Sequence, residues 1–370
     1  MRTENILNLL ISLSISGSIL FGIWRFVRFF LKEKYSRRLQ YYLLLVVLLR
    51  FVLPFSPNES IVGKLFSSIE STSFYEMIYG SPIKRNPTIF IGDNVSFNNN
   101  IIIGSKEHIF APYILSIWLI VALGLMIRKL TKYQSFTKYV KSDWQPINDP
   151  AIFDILATVC EEKRVTAAID VYTTPLISSP LLLGGKKNYI VLPHENLSYE
   201  QLYSIFSHEM THYKNRDLLY KWFMQLILCI HWFNPFVYFI EKVMNQECEY
   251  ACDEATTQHF TNEQQFNYGA TLIDMAKHSG RYNEKVASIT LYENTSEIKN
   301  RLEAMLLSKK RKRLRRTPAI LSITILVLIA FVLGAYTTRP IENQEDDVLT
   351  DTIDSEQTPT PNKPLGRHFS

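Results

Sequence analysis

Four stretches of the chain are apolar enough and long enough to be read as membrane spans, at about residues 5–24, 39–56, 110–127 and 318–336. The second is short and carries Arg50 and Pro54 near its end, where the arginine could snorkel to an interface. Between the third and fourth spans the pattern changes. A helix is expected after "NDP" and runs to about residue 164, followed by short strands at 169–173, 180–183 and 188–192. Gly184 and Gly185 mark a hairpin turn between the last two. Ser198 with Gln201 three residues on reads as a capping box, and Leu202, Ile205, Phe206 and Met210 then recur at helical spacing. "LLYKWFMQLILCIHWF" (218–233) is apolar but carries Lys221 and His231, and it stops at Asn234-Pro235. Split there, each half is too short to cross a membrane and reads as buried or partly sunk in the bilayer. A last helix, with Ile298, Leu302, Met305 and Leu306 in phase, leads to the fourth span.

Composition agrees with a membrane setting: 47% of residues are hydrophobic, with 22 Phe and 20 Tyr. Lys and Arg then set the orientation. They crowd residues 25–38, 128–141 and the run "SKKRKRLRR" (308–316), whereas 57–109 is rich in Asn, Ser and Pro and the stretch after 340 is acidic. The positive-inside rule places both termini and the 57–109 loop outside and 129–317 in the cytoplasm. The basic run lies against a span, so it reads as a topology signal and a contact for anionic lipid, with no direct nucleic-acid binding expected. All four cysteines (Cys160, Cys229, Cys248, Cys252) fall on or against the inner side, where reduced thiols are expected.

The candidate chemistry sits in "SHEMTHYKNRD" (207–217). His208 and His212 are four apart on one helix, so both rings can aim at one point, with Glu209 beside them. Two solvated histidines would satisfy the same spacing, but these lie over an apolar stripe where unpaired polar rings are costly. "NQECEYACDEAT" (245–256) offers a third ligand in Glu249, with Asp253 able to fix a histidine from behind. The plainer reading is an acidic helix face with Cys248 and Cys252 as small buried residues. A separate metal site built on those two cysteines lacks a second cysteine pair within reach. His231 could be a ligand, an oxyanion donor or a satisfied buried histidine.

The order "HEMTH", Asp217, "WFNPF" (232–236) and E-x-x-C-D-E (249–254), preceded by "SSPLLLGGKKNYIVLP" (178–193), resembles the BlaR/MecR family of integral-membrane zinc metallopeptidases over roughly residues 1–336. The resemblance implies a multi-pass α-helical membrane protein (residues 1–128, then a fourth helix at 318–336) around a cytoplasmic α+β gluzincin-like zinc metallopeptidase domain (129–317). It implies one Zn²⁺ per chain held by His208, His212 and Glu249, with Glu209 as catalytic base and Asp253 and Asp217 supporting the ligands. "PLLLGG", with Leu181, Leu182, Leu183 and Gly184, is the stretch we assign to substrate, since a short strand beside the metal helix can pair with an extended peptide. The implied substrate is a cytoplasmic protein, a winged-helix repressor or the chain itself, cleaved after an outer signal. The best-known members continue into a large extracellular penicillin-binding domain. Here residues 337–370 read as a short disordered tail, so a lacking sensor domain is expected, with a separate sensor protein or a homodimer as possible partners. The same site would serve a constitutive quality-control protease. A non-catalytic scaffold with a structural metal would not need the base Glu209.

Overall fold

In the computed structural model, the described residues are 3–31, 35–57, 60–70, 110–184, 187–277, 295–308 and 316–336. Gly185, residues 71–109, most of the basic run and the stretch after 336, all of which figure in the expectations above, lie outside them. The first helices are α1 (Thr3–Leu31), α2 (Arg37–Val52) and α3 (Ile61–Glu70). Ser36 caps α2 by accepting from the Leu39 amide. The helix stops at Val52, short of the expected residue 56, because Leu53 precedes a proline and is held extended at φ −92°, ψ 116°. α3 falls inside the stretch read as an outer loop, so that loop begins with a helix. Ser60 donates to the Ala335 carbonyl at 3.3 Å, which ties the start of α3 to the end of the described residues.

A 32-residue helix, α4 (Phe110–Lys141), leads into a four-stranded sheet: β1 (Gln145–Pro146), β2 (Ile169–Thr173), β3 (Leu181–Leu183) and β4 (Asn188–Leu192). The order is β1-β2-β4-β3, with β2 and β4 parallel and the outer pairs antiparallel. Three strands lie where the alternation predicts them, β3 one residue shorter; β1 has only two residues and gives no periodic signal. α5 (Pro150–Lys163), capped by Asp149, connects β1 to β2 along the chain. Ile169, Val171, Ile190 and Leu192 face α5 and α6 (Tyr199–Asn215), packing on Val159, Ile205, Phe206 and Met210. Leu181, Leu183 and Val191 face the end of α4 through Phe136 and Val140. This is the period-2 alternation of strands that are covered on both sides.

α7 (Asp217–Ile230) and α8 (Pro235–Thr257) form a hairpin broken at Asn234-Pro235, as the sequence predicts. α9 (Asn262–Lys277), which the apolar pattern does not announce, and α10 (Thr295–Ser308) close over α8. α11 (Arg316–Leu333) ends the described chain. Within α10, Ile298 and Met305 are buried, but Leu306 is 70% exposed, so the buried stripe is narrower than the spacing suggested.

The largest core is shared. Leu44 and Leu48 of α2 pack with Met224 and Ile227 of α7, Val237, Ile240 and Met244 of α8, and Leu326 of α11. Glu247 of α8 is buried against Arg28 of α1 and Arg37 of α2. The apolar bundle and the helices that carry the candidate site are therefore one packed body. Two described helices are long and apolar enough to cross a membrane, over Asn5–Phe29 and Ala111–Lys141. Ala319–Leu333 is a shorter apolar helix, and α2 has 16 residues, so two of the four expected spans are shorter than predicted.

Candidate metal centre

The site is assembled from three helices whose local sequences explain their placement. α6 starts at the capping box, with the Ser198 hydroxyl accepting from the Gln201 amide and the Gln201 side chain from the Ser198 amide. This phase puts Leu202, Ile205 and Phe206 into the core and His208, Glu209 and His212 along the adjoining face, all nearly buried. Arg216 then adopts the left-handed conformation (φ 58°) and returns its amide to the His212 and Tyr213 carbonyls. The turn starts α7 at once, which brings Asp217 back beneath His212.

Each ring nitrogen can be assigned from its partners. Asp217 Oδ2 lies 2.7 Å from His212 Nδ1, and a carboxylate only accepts, so Nδ1 carries the hydrogen. Tyr268 Oη donates to Asp253 Oδ1 at 2.6 Å and lies 2.9 Å from His208 Nδ1, so it accepts from that nitrogen. In the neutral rings that a metal requires, both Nε2 atoms are then lone pairs. They face one another at 3.0 Å, and Glu249 Oε2 stands 3.4 Å from His208 Nε2 and 3.6 Å from His212 Nε2. Three electron-pair donors thus converge with no hydrogen among them. The edges of a tetrahedral zinc site with bonds of ~2.05 Å are about 3.3 Å. The three residues fit a metal ion of this kind.

The electrostatics follow from that crowding. Burial works against charge on both histidines, yet the neighbouring carboxylates, Asp253 and Glu249 for His208 and Glu249 and Asp217 for His212, raise their proton affinity, that of His212 well above its ordinary value. The same pairing holds the Glu249 carboxylate well below the usual range despite its burial. Burial instead pushes Glu209 up, towards the range a proton acceptor and donor needs near neutrality. Behind the histidines Arg301 grips Asp253 with Nε at 2.8 Å and Nη2 at 2.7 Å, which keeps that carboxylate ionised.

The expected residues divide as follows. His208, His212 and Glu249 come together, Glu209 lines the same cavity of about 970 Å³, and Asp217 and Asp253 stand behind one histidine each. Leu181, Leu182 and Gly184 also line the cavity, and Leu183 is turned into the core. Among the described residues β3 pairs with β4 alone, at the end of the sheet, and it contacts α6. His231 is remote: its Nε2 donates to the Phe51 carbonyl at 3.0 Å. The cysteines gain partners that sequence did not supply, because Cys252 Sγ lies 3.2 Å from both His212 Nδ1 and Asp217 Oδ2, and Cys248 Sγ 3.9 Å from the same nitrogen. With His212 and Asp217 they form a second group that could hold a metal. However, the 2.7 Å between Nδ1 and Oδ2 is a hydrogen-bond separation, shorter than the spacing of two donors on one ion, so the group reads as packing around His212.

Sequence reasoning missed Tyr268, Arg301 and the role of Lys221. Lys221 Nζ stands 3.7 Å from Glu249 Oε1, and Arg301 Nη1 3.7 Å from Oε2. Lys221 had a signal, being a charge inside an apolar run; Tyr268 lies on the unannounced α9 and Arg301 carries no motif.

A model of the BlaR1 peptidase M56 family matches residues 8–305, a stretch that contains the whole constellation. Regulatory protein BlaR1 of Bacillus licheniformis is 24% identical over 326 residues, covering 86% of this chain and 53% of the relative. The methicillin resistance mecR1 protein of Staphylococcus aureus is 27% identical over 179 residues, 46% of this chain and 31% of that protein. Regulatory protein BlaR1 of Staphylococcus aureus is 22% identical over 303 residues, or 80% of this chain and 50% of the relative. The chain thus spans about half the length, or less, of the curated relatives it matches. With its site inside the matched region, the chain belongs to the BlaR1 peptidase M56 family.

Proposed function

We propose that this chain is a membrane-embedded zinc metallopeptidase that cleaves a cytoplasmic protein in response to an outer signal. The observation that carries the reading is the convergence of His208 Nε2, His212 Nε2 and Glu249 Oε2, three lone-pair donors in a cavity that also holds a buried carboxyl, Glu209. Bound there, zinc would supply Lewis acidity towards a peptide carbonyl and a water molecule. Glu209 would take a proton from water there and pass it to the leaving amine, a role suited to a carboxyl whose proton affinity is raised by burial. Asp217 and Asp253, the latter through Tyr268, hold the two rings so that Nε2 of each faces inward. β3, at the end of the sheet and in contact with α6, suits an extended peptide, which would lie across the cavity mouth with its main chain paired to Leu181–Leu183. Lys221 and Arg301, each 3.7 Å from Glu249 and both lining the cavity, are cations at hand for the developing oxyanion.

The distribution of Lys and Arg supports a peptidase on the cytoplasmic side with both termini outside. A repressor of the winged-helix class, or the chain itself, is the substrate we favour, and the relatives' names, "Regulatory protein" and "Methicillin resistance", support a regulatory role. The test compares the cytoplasmic proteome of cells carrying the wild type and Glu209→Gln. A transcriptional regulator cleaved only in the wild type, and only after the signal, is expected. Signal-independent cleavage of many membrane proteins would instead favour a constitutive quality-control protease.

A further inference from the structure

The α7–α8 hairpin runs lengthwise through the apolar bundle. At its base Asp217 accepts from Tyr41 Oη of α2 at 2.8 Å, and at its apex His231 meets the carbonyl of Phe51, near the end of the same helix. The returning leg follows α1: Asn234 bonds Ser14 and Ser18, the Phe239 ring packs 5.8 Å from that of Phe21, and Glu247 pairs with Arg28. Ser14 and Ser18 sit in the middle of the apolar stretch Asn5–Phe29, and α7 is about 21 Å long at ~1.5 Å per residue. If α1 crosses a bilayer, the apex lies near its midplane.

The apex is built for a place without water. A chain reversal frees backbone groups, and in hydrocarbon each must be paired by the protein. Trp118 of α4 donates to the Ile230 carbonyl at 2.8 Å, and Tyr238 Oη to that of Trp232 at 2.9 Å. Asn234 caps the Phe236 amide with its carbonyl oxygen while its amide group bonds both serines at 2.7 and 2.8 Å. Among these apex side chains, His231 Nδ1 and Trp232 Nε1 have no partner. The outer surface is nonetheless apolar: Leu226, Phe233, Phe236 and Phe239 are all at least 40% exposed. Trp118 joins this surface to the exposed apolar face of α4, itself within a candidate span.

We propose that α7–α8 is a re-entrant membrane hairpin, entering and leaving on the side of the metal centre, with Leu226, Phe233 and Phe236 against lipid acyl chains. The occupant of this surface is the bilayer, because the surface continues the apolar face of α4 and the carbonyls of Ile230 and Trp232 at its turn are bonded by Trp118 and Tyr238. The two legs carry Asp217 and Glu249, so a change at the apex has a mechanical route to the metal centre. The inference rests on the membrane reading of α1 and α4.

Photocrosslinking of the full chain in phosphatidylcholine vesicles tests it, with p-benzoylphenylalanine placed singly at Phe236, at Ile120 of α4 and at the exposed Phe266 of α9. A phospholipid mass adduct is expected at 120 and 236 and not at 266. An adduct at 120 without one at 236, or a polypeptide adduct at 236, overturns the hairpin proposal while leaving the membrane reading intact. No lipid adduct at 120 overturns the membrane reading itself, and the proposal with it.

Discussion

His212 is the residue on which most of the site depends, since its two nitrogens face different neighbours. Nε2 meets His208 and Glu249, and Nδ1 is held by Asp217. His212→Ala is expected to abolish stoichiometric zinc, and Glu249→Gln to weaken it strongly, by metal analysis of purified protein. Glu209→Gln is expected to keep the metal and lose peptidase activity, because it removes a base and leaves the three donors in place. Asp217→Asn keeps the shape but removes the acceptor charge behind Nδ1. Loss of such a supporting group costs about 10–100-fold in metal affinity. The pH dependence has a definite sign. Zinc needs both rings unprotonated, and their proton affinities are raised, so protons compete with the metal at a higher pH than for ordinary histidines. Apparent affinity is expected to fall as pH falls, with the decline beginning above the ordinary imidazole range of about 6.5, as read by chelator competition.

At the scale of elements the joint between α6 and α7 decides whether Asp217 arrives. Arg216 occupies the left-handed region without being glycine, at a cost of about 1–2 kcal/mol for an L-residue. Arg216→Gly is expected to preserve zinc affinity and leave thermal stability equal or higher. Arg216→Val, β-branched at the same φ, is expected to lower the melting temperature and loosen zinc together, by differential scanning fluorimetry with and without metal. Unchanged melting and zinc affinity in the valine variant would mean that the turn is not what positions Asp217.

For the whole molecule the shared core makes the bundle and the peptidase inseparable. Glu247 is fully buried between Arg28 and Arg37, so Glu247→Ala removes the carboxylate they share and leaves two buried cations with the neutral Gln40 side chain. Breaking such a pair costs roughly 3–5 kcal/mol. The expected outcome is loss of zinc and of the folded bundle together in detergent denaturation. The same continuity narrows where the proposed signal would enter. α3 packs against α1 and α11, with Ser56 and Ser60 bonded to Ala335, so residues 60–70 belong to the fold. Replacing 71–109 with a polar linker is expected to uncouple proteolysis from its signal with zinc retained, whereas truncation after 340 leaves the response. The reverse pattern in a cleavage assay would assign sensing to the tail.

What the sequence determined by itself is local. The capping box, the 3.6-residue stripe under His208 and His212, the alternation of β2 and β4 and the Asn-Pro break all depend on neighbours within a turn or two, and so they were legible. The two histidines and Glu209 were legible for the same reason, since one helix supplies their geometry. Tertiary structure decided everything that joins distant segments. Tyr268 reaches His208 across 60 residues and Arg301 reaches Asp253 across 48, from helices with no spacing signal of their own. Only packing could turn Cys248 and Cys252 towards His212 rather than towards a metal of their own, choose Glu249 from among the acids of α8, and set β3 at the end of the sheet beside the cavity. A short-range pattern sets which face of a helix is buried; which face of another helix it meets depends on long-range packing that no local pattern records.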